Sequence, residues 1–240
     1  MHPTARQNIK HFFDIYNIKE NCLVAEIGSY DNHAHNKDYI PTNLNYTGID
    51  IFSGPNVDIV LEDPYKFPIE DNKFDFVIAT SVFEHTNFFW LTILEMTRIL
   101  KPEGLLYINV PTNCFIHRYP RDNWRFYPDA GLTLKDWINR NGYNSSLMES
   151  YTSFQDPGSF TFNDFVAIII KDKSYAENYP NRIVNNIQNY HNGLIDDGKV
   201  TEKTRSNGYL NWEVFTEDHI KLLQQAGSWE NYKNVKDDCY

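Results

Sequence analysis

Polar and ionisable residues follow several short apolar runs in the N-terminal half of the chain, which is where a binding site for a nucleoside can form. The run Leu23–Ile27 predicts a buried strand and is followed directly by Gly28. Asp50 follows the next such run, about 22 residues after Gly28, a spacing at which a carboxylate can accept hydrogen bonds from ribose hydroxyls. Asp63 and the stretch Thr80–His85 follow two further runs. Because ligands bind at the carboxyl ends of parallel strands, these residues predict a nucleoside-shaped site.

The loop after the first strand argues against a ligand that carries a pyrophosphate. Tyr30 stands where a dinucleotide-binding loop has its second glycine, and only 11 of the 240 residues are glycine. A pyrophosphate needs a close approach of the backbone, which glycine permits and a bulky side chain resists. We therefore expect a nucleoside without phosphates, a description that fits S-adenosylmethionine (SAM).

The elements that must position these residues alternate between strands and helices. The predicted strands are Leu23–Ile27, Tyr46–Ile51, Val57–Val60, Phe74–Ala79, Gly104–Val110, Leu147–Tyr151 and Phe165–Ile170. Helical periodicity predicts helices over Ile9–Ile18, Phe88–Leu100 and Asp129–Arg140. The alternation favours an α/β fold with a mostly parallel sheet. The link Phe52–Asn56 is too short for a full crossover helix, so we expect a reduced or missing helix there.

An ordered set of motifs resembles the class I SAM-dependent methyltransferases of the type 11 group. It comprises Val24–Gly28, Gly48–Asp50, Phe67–Pro68 with Phe74–Val77, Ser81–His85 and Arg98–Leu106. The stretch His117–Gly131 is similar to a subgroup encoded among polysaccharide-biosynthesis genes. The resemblance implies a Rossmann-like fold with a mostly parallel seven-stranded sheet, an antiparallel end and helices on both faces.

The resemblance also implies a SAM site and a role for each of its residues. Glu26, Gly28 and Ser29 would border the methionine part, Asp50 would hold the ribose, and Asp63 would face the adenine. Thr80 and Ser81 would line the floor below the sulfonium. The full set of expected cofactor residues is Glu26, Ile27, Gly28, Ser29, Tyr30, Asp50, Ile51, Asp63, Thr80, Ser81 and His85.

A basic, aromatic segment after the fifth strand is the candidate acceptor site. His117 and Asp122 are the candidate bases, because a hydroxyl acceptor must lose its proton during methyl transfer. The candidate acceptor-binding residues, chosen because guanidinium groups bind anions and aromatic rings cover sugar faces, are Arg118, Arg121, Trp124, Arg125 and Tyr127. No metal is expected, because the His33-x-His35 pair has no carboxylate or cysteine cluster nearby.

Composition limits the partners and the compartment. The formal net charge of −10 disfavours binding to nucleic acid, which requires clustered lysine and arginine. The three cysteines are far apart and form no CxxC pair, and no apolar run is long enough to span a membrane. We expect a cytoplasmic protein with a small-molecule or glycan acceptor, while the oligomeric state stays open. We expect a methyltransferase domain over residues 1–172, with an N-terminal helix in 1–20, and a helical or irregular extension over 173–240, including helices at Arg182–Tyr190 and Thr216–Ala226.

These observations favour an O-methyltransferase that acts on a nucleotide-linked sugar or a glycan. Three alternatives stay open: a methyltransferase for a non-sugar acceptor, a non-catalytic partner subunit with a SAM-binding fold, and a nicotinamide-dependent sugar reductase or epimerase. Tyr30 favours the partner subunit, whereas the reductase needs a phosphate loop that this sequence lacks.

Overall fold

A nine-stranded sheet forms the centre of the computed structural model, which describes residues 3–16, 18–30, 36–113, 116–153, 163–188 and 190–201. Its strands are β1 (Leu23–Ile27), β2 (Asn45–Asp50), β3 (Ile59–Val60), β4 (Phe74–Thr80), β5 (Leu100–Pro111), β6 (Ser146–Ser153), β7 (Asp164–Ile170), β8 (Tyr190–Ile195) and β9 (Lys199–Val200). Their order is β3-β2-β1-β4-β5-β7-β6-β8-β9. The first five strands in this order are parallel, and each of the later ones is antiparallel to its neighbour.

Helices cover both faces of the sheet, as the sequence predicts. The helices are α1 (Pro3–Ile15), α2 (Phe89–Ile99), α3 (Ala130–Arg140) and α4 (Ile183–Asn186), with 3-10 helices at Asn36–Tyr39 and Lys173–Asn178. Apolar residues of α2 and α3 pack on one face of the sheet, and those of α1 and α4 pack on the other. Strand β7 is buried along its whole length, which explains its continuous apolar sequence.

The local signals that end the helices are visible in the structure. Leu100 is already extended after α2, because Lys101 precedes Pro102 and that position disfavours helix. Helix α3 ends at Arg140, and Gly142 then adopts a positive φ of 93°. The sequence predicts a reduced or missing crossover helix between β2 and β3, and the helix is missing, since the link contains only turns and bends.

The structure differs from the sequence prediction beyond residue 172. We expected a separate extension with a helix over Arg182–Tyr190, but the helix covers only Ile183–Asn186, and β8 and β9 lengthen the sheet from seven strands to nine. The reason is that β6 offers a free edge, and β8 pairs with it through registers such as Ser150 with Leu194. The predicted helix Thr216–Ala226 lies outside the described residues.

Buried polar contacts fix α1 and α4 to the sheet. Glu149 on β6 is fully buried and accepts hydrogen bonds from the Tyr16 hydroxyl at 2.7 Å and from the backbone N–H groups of Ile183 and Val184 at 2.7 and 3.0 Å. Burial raises the pKa of Glu149, although these three donors oppose the shift. Within the described ranges, none of the helices has the length and apolar character required to cross a bilayer.

Candidate functional site

The turn after β1 brings the backbone close to the turn after β4. Gly28 has a positive φ of 78°, and its N–H donates to the Ile49 carbonyl at 2.9 Å. A Cβ on Gly28 would lie 2.3 Å from Val82 Cγ2. Only glycine fits this position without displacing a neighbour, so the residue type is fixed by geometry at the floor of the site.

The carboxylate of Asp50 is held in one orientation at the end of β2. Its Oδ2 accepts from the Tyr30 N–H and its Oδ1 from the Phe52 N–H, both at 3.0 Å. Each oxygen keeps a further lone pair. The group is therefore pre-positioned to accept hydrogen bonds from a diol such as a ribose.

Tyr30, the residue that replaces the second glycine, packs against the loop after β2. Its ring lies where a Cβ on Gly54 would approach it to 2.2 Å, and its centroid is 6.4 Å from that of Phe52. The small residue at position 54 thus makes room for the large one at position 30. Phe52 and Ile51 remain exposed beside it, which supplies apolar surface next to Asp50.

A pocket of about 410 Å³ opens above these loops, a size suited to a nucleoside ligand. Several expected cofactor residues line it: Ile27, Gly28, Tyr30, Asp50, Ile51, Ser81 and His85. It is also lined by Leu61, Pro64, Tyr65, Val82 and Thr86, for which the sequence suggested no role. Ser81 has a φ of 55°, unusual for a residue other than glycine and typical of functional sites that store backbone strain.

Four expected cofactor residues lie beside the pocket rather than in its lining. Glu26 is buried and accepts a hydrogen bond from the Tyr46 hydroxyl at 2.6 Å. Asp63 is exposed and accepts from the Tyr65 N–H at 2.8 Å, which fixes the turn that carries Tyr65 into the pocket. Ser29 and Thr80 are buried.

The segment after β5 also lines the pocket, through Tyr119, Pro120 and Arg121. The carbonyl of Arg121 is hydrogen-bonded to Nδ1 of His85, and its guanidinium donates to Asn87 Oδ1 at 3.2 Å. Two segments that are distant in sequence are therefore tied together at the pocket wall.

Asp122 binds residues of its own segment. Its side chain is 1% exposed and forms two hydrogen bonds with the Arg125 guanidinium, one of them 2.7 Å long. It also accepts from the His117 N–H at 2.8 Å and lies 3.3 Å from Nδ1 of that ring. Burial alone would raise the pKa of Asp122, but the hydrogen bonds from Arg125 and His117 outweigh it and lower the pKa. An ionised, fully engaged carboxylate is suited to orienting His117.

The expected acceptor-binding residues separate into two groups. Trp124 donates to the Thr86 carbonyl at 2.9 Å and packs on Phe89, so it ties the segment to the turn after β4, whereas Arg125 binds Asp122 within the segment. The exposed residues of the set are Arg118, Arg121 and Tyr127.

Glu84 is the residue that sequence reasoning missed. It is 0% exposed, and neither carboxylate oxygen has a hydrogen-bond partner within the part of the chain that the structure describes. Burial raises its pKa to about 8. The motif Ser81–His85 contains Glu84 and was the available signal, but a motif does not show whether a side chain is buried. The His33-x-His35 pair lies outside the described residues.

The comparisons with known proteins agree with this geometry. Residues 22–108 match the family described as a methyltransferase domain. A search of curated protein sequences finds no match. The fold is similar to the Burkholderia thailandensis 1,6-didemethyltoxoflavin-N1-methyltransferase, solved with its acceptor and S-adenosylhomocysteine (TM-score 0.55, 12% identity, covering 70% of this chain and 79% of that one).

Two further solved structures share the fold. One is the chain solved in complex with the Haloferax volcanii Trm112 methyltransferase activator (TM-score 0.51, 15% identity, 70% of this chain and 89% of that one). The other is the [4+2]-cyclase SpnF (TM-score 0.51, 13% identity, covering 70% of this chain and 81% of that one). At these identities the likeness shows the fold alone.

The family match and the fold confirm the Rossmann-like methyltransferase architecture. The match over residues 22–108 supports a SAM-dependent methyltransferase as the enzyme class and SAM as the cofactor.

Proposed function

We propose that the chain transfers the methyl group of SAM to a hydroxyl oxygen of a sugar, carried on a nucleotide or a glycan, as an enzyme of polysaccharide biosynthesis. The observation that carries the proposal is the pocket lined both by Asp50 and Ser81 and by Tyr119–Arg121. Cofactor residues and one acceptor candidate, Arg121, thus line the same cavity. Like this chain, the toxoflavin-pathway enzyme has a methyltransferase fold, and its structure contains an acceptor together with S-adenosylhomocysteine.

In this proposal the residues of β1, β2 and β4 hold the cofactor. Asp50 accepts hydrogen bonds from the ribose hydroxyls, because both of its oxygens are fixed by backbone donors. Ile51, Phe52 and Leu61 provide apolar contact for the adenine, while Gly28 and Ser81 leave the backbone open for the methionine part. Bound SAM supplies a methyl group on a positively charged sulfur.

The acceptor would bind against the segment after β5. Arg118 and Arg121 are exposed cations that suit a phosphate or carboxylate, and the exposed rings of Tyr119 and Tyr127 suit the apolar faces of a sugar. The position of His117 supports a role at the hydroxyl, because its ring is 5.0 Å from that of His85, which lines the pocket. Asp122 positions His117 and stays ionised.

Calorimetry with SAM tests the cofactor site. We expect the wild-type protein to release heat with SAM and Asp50→Asn to bind about 10- to 100-fold more weakly, since a hydrogen bond to a charged group contributes about 1.5–3 kcal/mol. Asp136→Asn, an exposed aspartate on α3, is the matched control. Absence of any heat with wild-type protein would contradict the site, and unchanged affinity in Asp50→Asn would remove the ribose role.

An acceptor screen tests the sugar. Methyl transfer from labelled SAM is measured with nucleotide sugars, glycans and non-sugar hydroxyl compounds. Arg121→Ala should raise the KM for the acceptor without changing SAM affinity, while Arg140→Ala at the exposed end of α3 should change neither. Activity only on non-sugars would overturn the sugar assignment in favour of the small-molecule alternative.

A second candidate function is a subunit that works with a partner, because one fold neighbour was solved with an activator protein. Turnover by the purified chain alone would exclude this candidate. Binding of SAM without turnover on any acceptor would favour it.

A further inference from the structure

Three potential metal ligands lie close together, and one of them, His85, lines the pocket. Glu84 and His85 come from the turn after β4, and His117 comes from the segment after β5. One ligand atom from each lies within 4.8 Å of the other two, and His85 Nε2 is 3.7 Å from Glu84 Oε1. Ligands bound about 2.1 Å from one ion lie about 3 to 3.5 Å apart, so a small side-chain adjustment would close the set.

We propose that Glu84, His85 and His117 bind a divalent first-row transition-metal ion beside the pocket. The inference rests on the proposed function only in that the acceptor is a hydroxyl compound. It replaces the sequence expectation of no metal, which considered only the His33-x-His35 pair.

A bound cation would stabilise the buried carboxylate of Glu84. The side chain is fully buried, and neither oxygen accepts a hydrogen bond there. A buried carboxylate without a partner is strongly unfavourable. Asp164 and Asp122 add negative charge nearby, and the opposing cation that acts on Glu84 is Arg125, which already binds Asp122. A bound dication would compensate all of these charges.

The His85 imidazole is oriented as metal-binding histidines usually are, because its Nδ1 is hydrogen-bonded to the Arg121 carbonyl. The ring of His117 lies beside a carboxylate, with Nδ1 3.3 Å from Asp122 Oδ2, although the two atoms form no hydrogen bond. When a carbonyl or a carboxylate takes the Nδ1–H, the tautomer is fixed and Nε2 keeps its lone pair for a metal. Such outer partners are a regular feature of metal-binding histidines.

The ligand set indicates which ion binds and what it does. Two imidazoles and one carboxylate suit Mn²⁺, Fe²⁺, Co²⁺ or Zn²⁺ better than Mg²⁺ or Ca²⁺, which prefer oxygen ligands. Three protein ligands leave coordination positions open for the acceptor hydroxyl. The bound ion would lower the pKa of that hydroxyl. The O–CH₃ bond then forms as the CH₃–S bond breaks, its electron pair goes to sulfur, and the hydroxyl proton goes to water. His117 would hold the ion rather than take the proton itself.

The first test is metal binding by the untagged full chain. The protein is stripped with chelator and titrated with MnCl₂, ZnCl₂ or MgCl₂ in a calorimeter, and bound Mn²⁺ is followed by electron paramagnetic resonance. We expect one equivalent of Mn²⁺ or Zn²⁺, weaker Mg²⁺ binding, and at least about 100-fold weaker binding in Glu84→Gln and His117→Ala. Glu70→Gln removes the same charge from an exposed site and should bind like wild type. Equal binding by wild type and Glu84→Gln, or none by either, overturns the proposal.

The second test separates this inference from the proposed function. Melting curves and SAM calorimetry show whether Glu84→Gln is folded and keeps its cofactor site. Methyl transfer should fall at least about tenfold after chelation and return with Mn²⁺ or Zn²⁺. Undiminished transfer by metal-free protein would refute the metal site and leave the methyltransferase proposal intact, with His117 as the base. Absence of SAM binding in metal-free and metal-loaded protein alike would contradict the proposed function.

Discussion

Replacing Gly28 by alanine tests whether the close approach of the β1 and β4 turns builds the cofactor site. The added Cβ would lie 2.3 Å from Val82 Cγ2, whereas ordinary contact begins at 3.4 Å, so one of the two must move by 3.4 − 2.3 = 1.1 Å. Overpacking of this kind costs about 1–3 kcal/mol, and the positive φ of 78° adds about 1–2 kcal/mol for a residue with a Cβ. We expect Gly28→Ala to lose about 2–5 kcal/mol of stability and about tenfold or more in SAM affinity.

A double-mutant cycle with Val82→Ala separates the two causes. Removing the Val82 methyl groups relieves the contact but not the backbone strain, so the double variant should be more stable than the sum of the single changes by about 1–2 kcal/mol. Urea denaturation measures the stability of each variant, and calorimetry with SAM measures its affinity for the cofactor. Wild-type stability and affinity in Gly28→Ala would refute the reasoning, and strictly additive effects would show that Val82 is not the obstacle.

Three further predictions concern the scaffold. Glu149→Ala should cost about 3 kcal/mol or more in urea denaturation, because it leaves three buried donors unpaired, whereas the isosteric Glu149→Gln should cost less. Lys171→Met should destabilise by about 2 kcal/mol, because the buried ammonium donates to Asn72 Oδ1 at 2.7 Å and to two backbone carbonyls; an unchanged denaturation midpoint would show that these bonds contribute nothing net. The pKa of Glu95 is lowered, because hydrogen bonds from Arg98 and the Phe67 N–H outweigh the effect of burial. The ionised Glu95 therefore stabilises the folded state fully at pH values above its ordinary pKa of 4.5, and this stabilisation is lost as the pH falls through the lower folded-state pKa. Melting temperatures between pH 6 and 3 should fall less steeply for Glu95→Gln, and parallel curves would contradict this.

The central strands could be predicted because their signal is local. Leu23–Ile27 and Phe165–Ile170 are short apolar runs with sharp ends, and the structure places strands at nearly the same residues. Because β1 and β2 are parallel, their carboxyl ends lie at the same edge of the sheet, which is why Gly28 and Asp50 line one pocket.

The edge of the sheet could not be predicted in the same way. Tyr190–Ile195 contains His191, Asn192 and Gly193, which are poor strand formers, so its pairing depends on the edge that β6 exposes. The roles of Trp124 and Arg125 were also hidden. Whether an aromatic or basic side chain binds an acceptor or braces its own loop depends on which groups the fold places beside it, here the Thr86 carbonyl and Asp122.

The same bracing explains how an acidic protein can present a small basic surface to its acceptor. Arg125 is neutralised by Asp122, and the pair fixes the backbone N–H of His117 at one end of the segment. Trp124 fixes the other end to the turn after β4. Arg118 and Arg121 are thereby left as the exposed cations of this segment, beside a pocket that contains Asp50. An acceptor with one anionic group is therefore favoured over a polyanion, because two exposed guanidinium groups match a phosphate or a uronic acid, whereas the net charge of −10 repels a longer chain of phosphates.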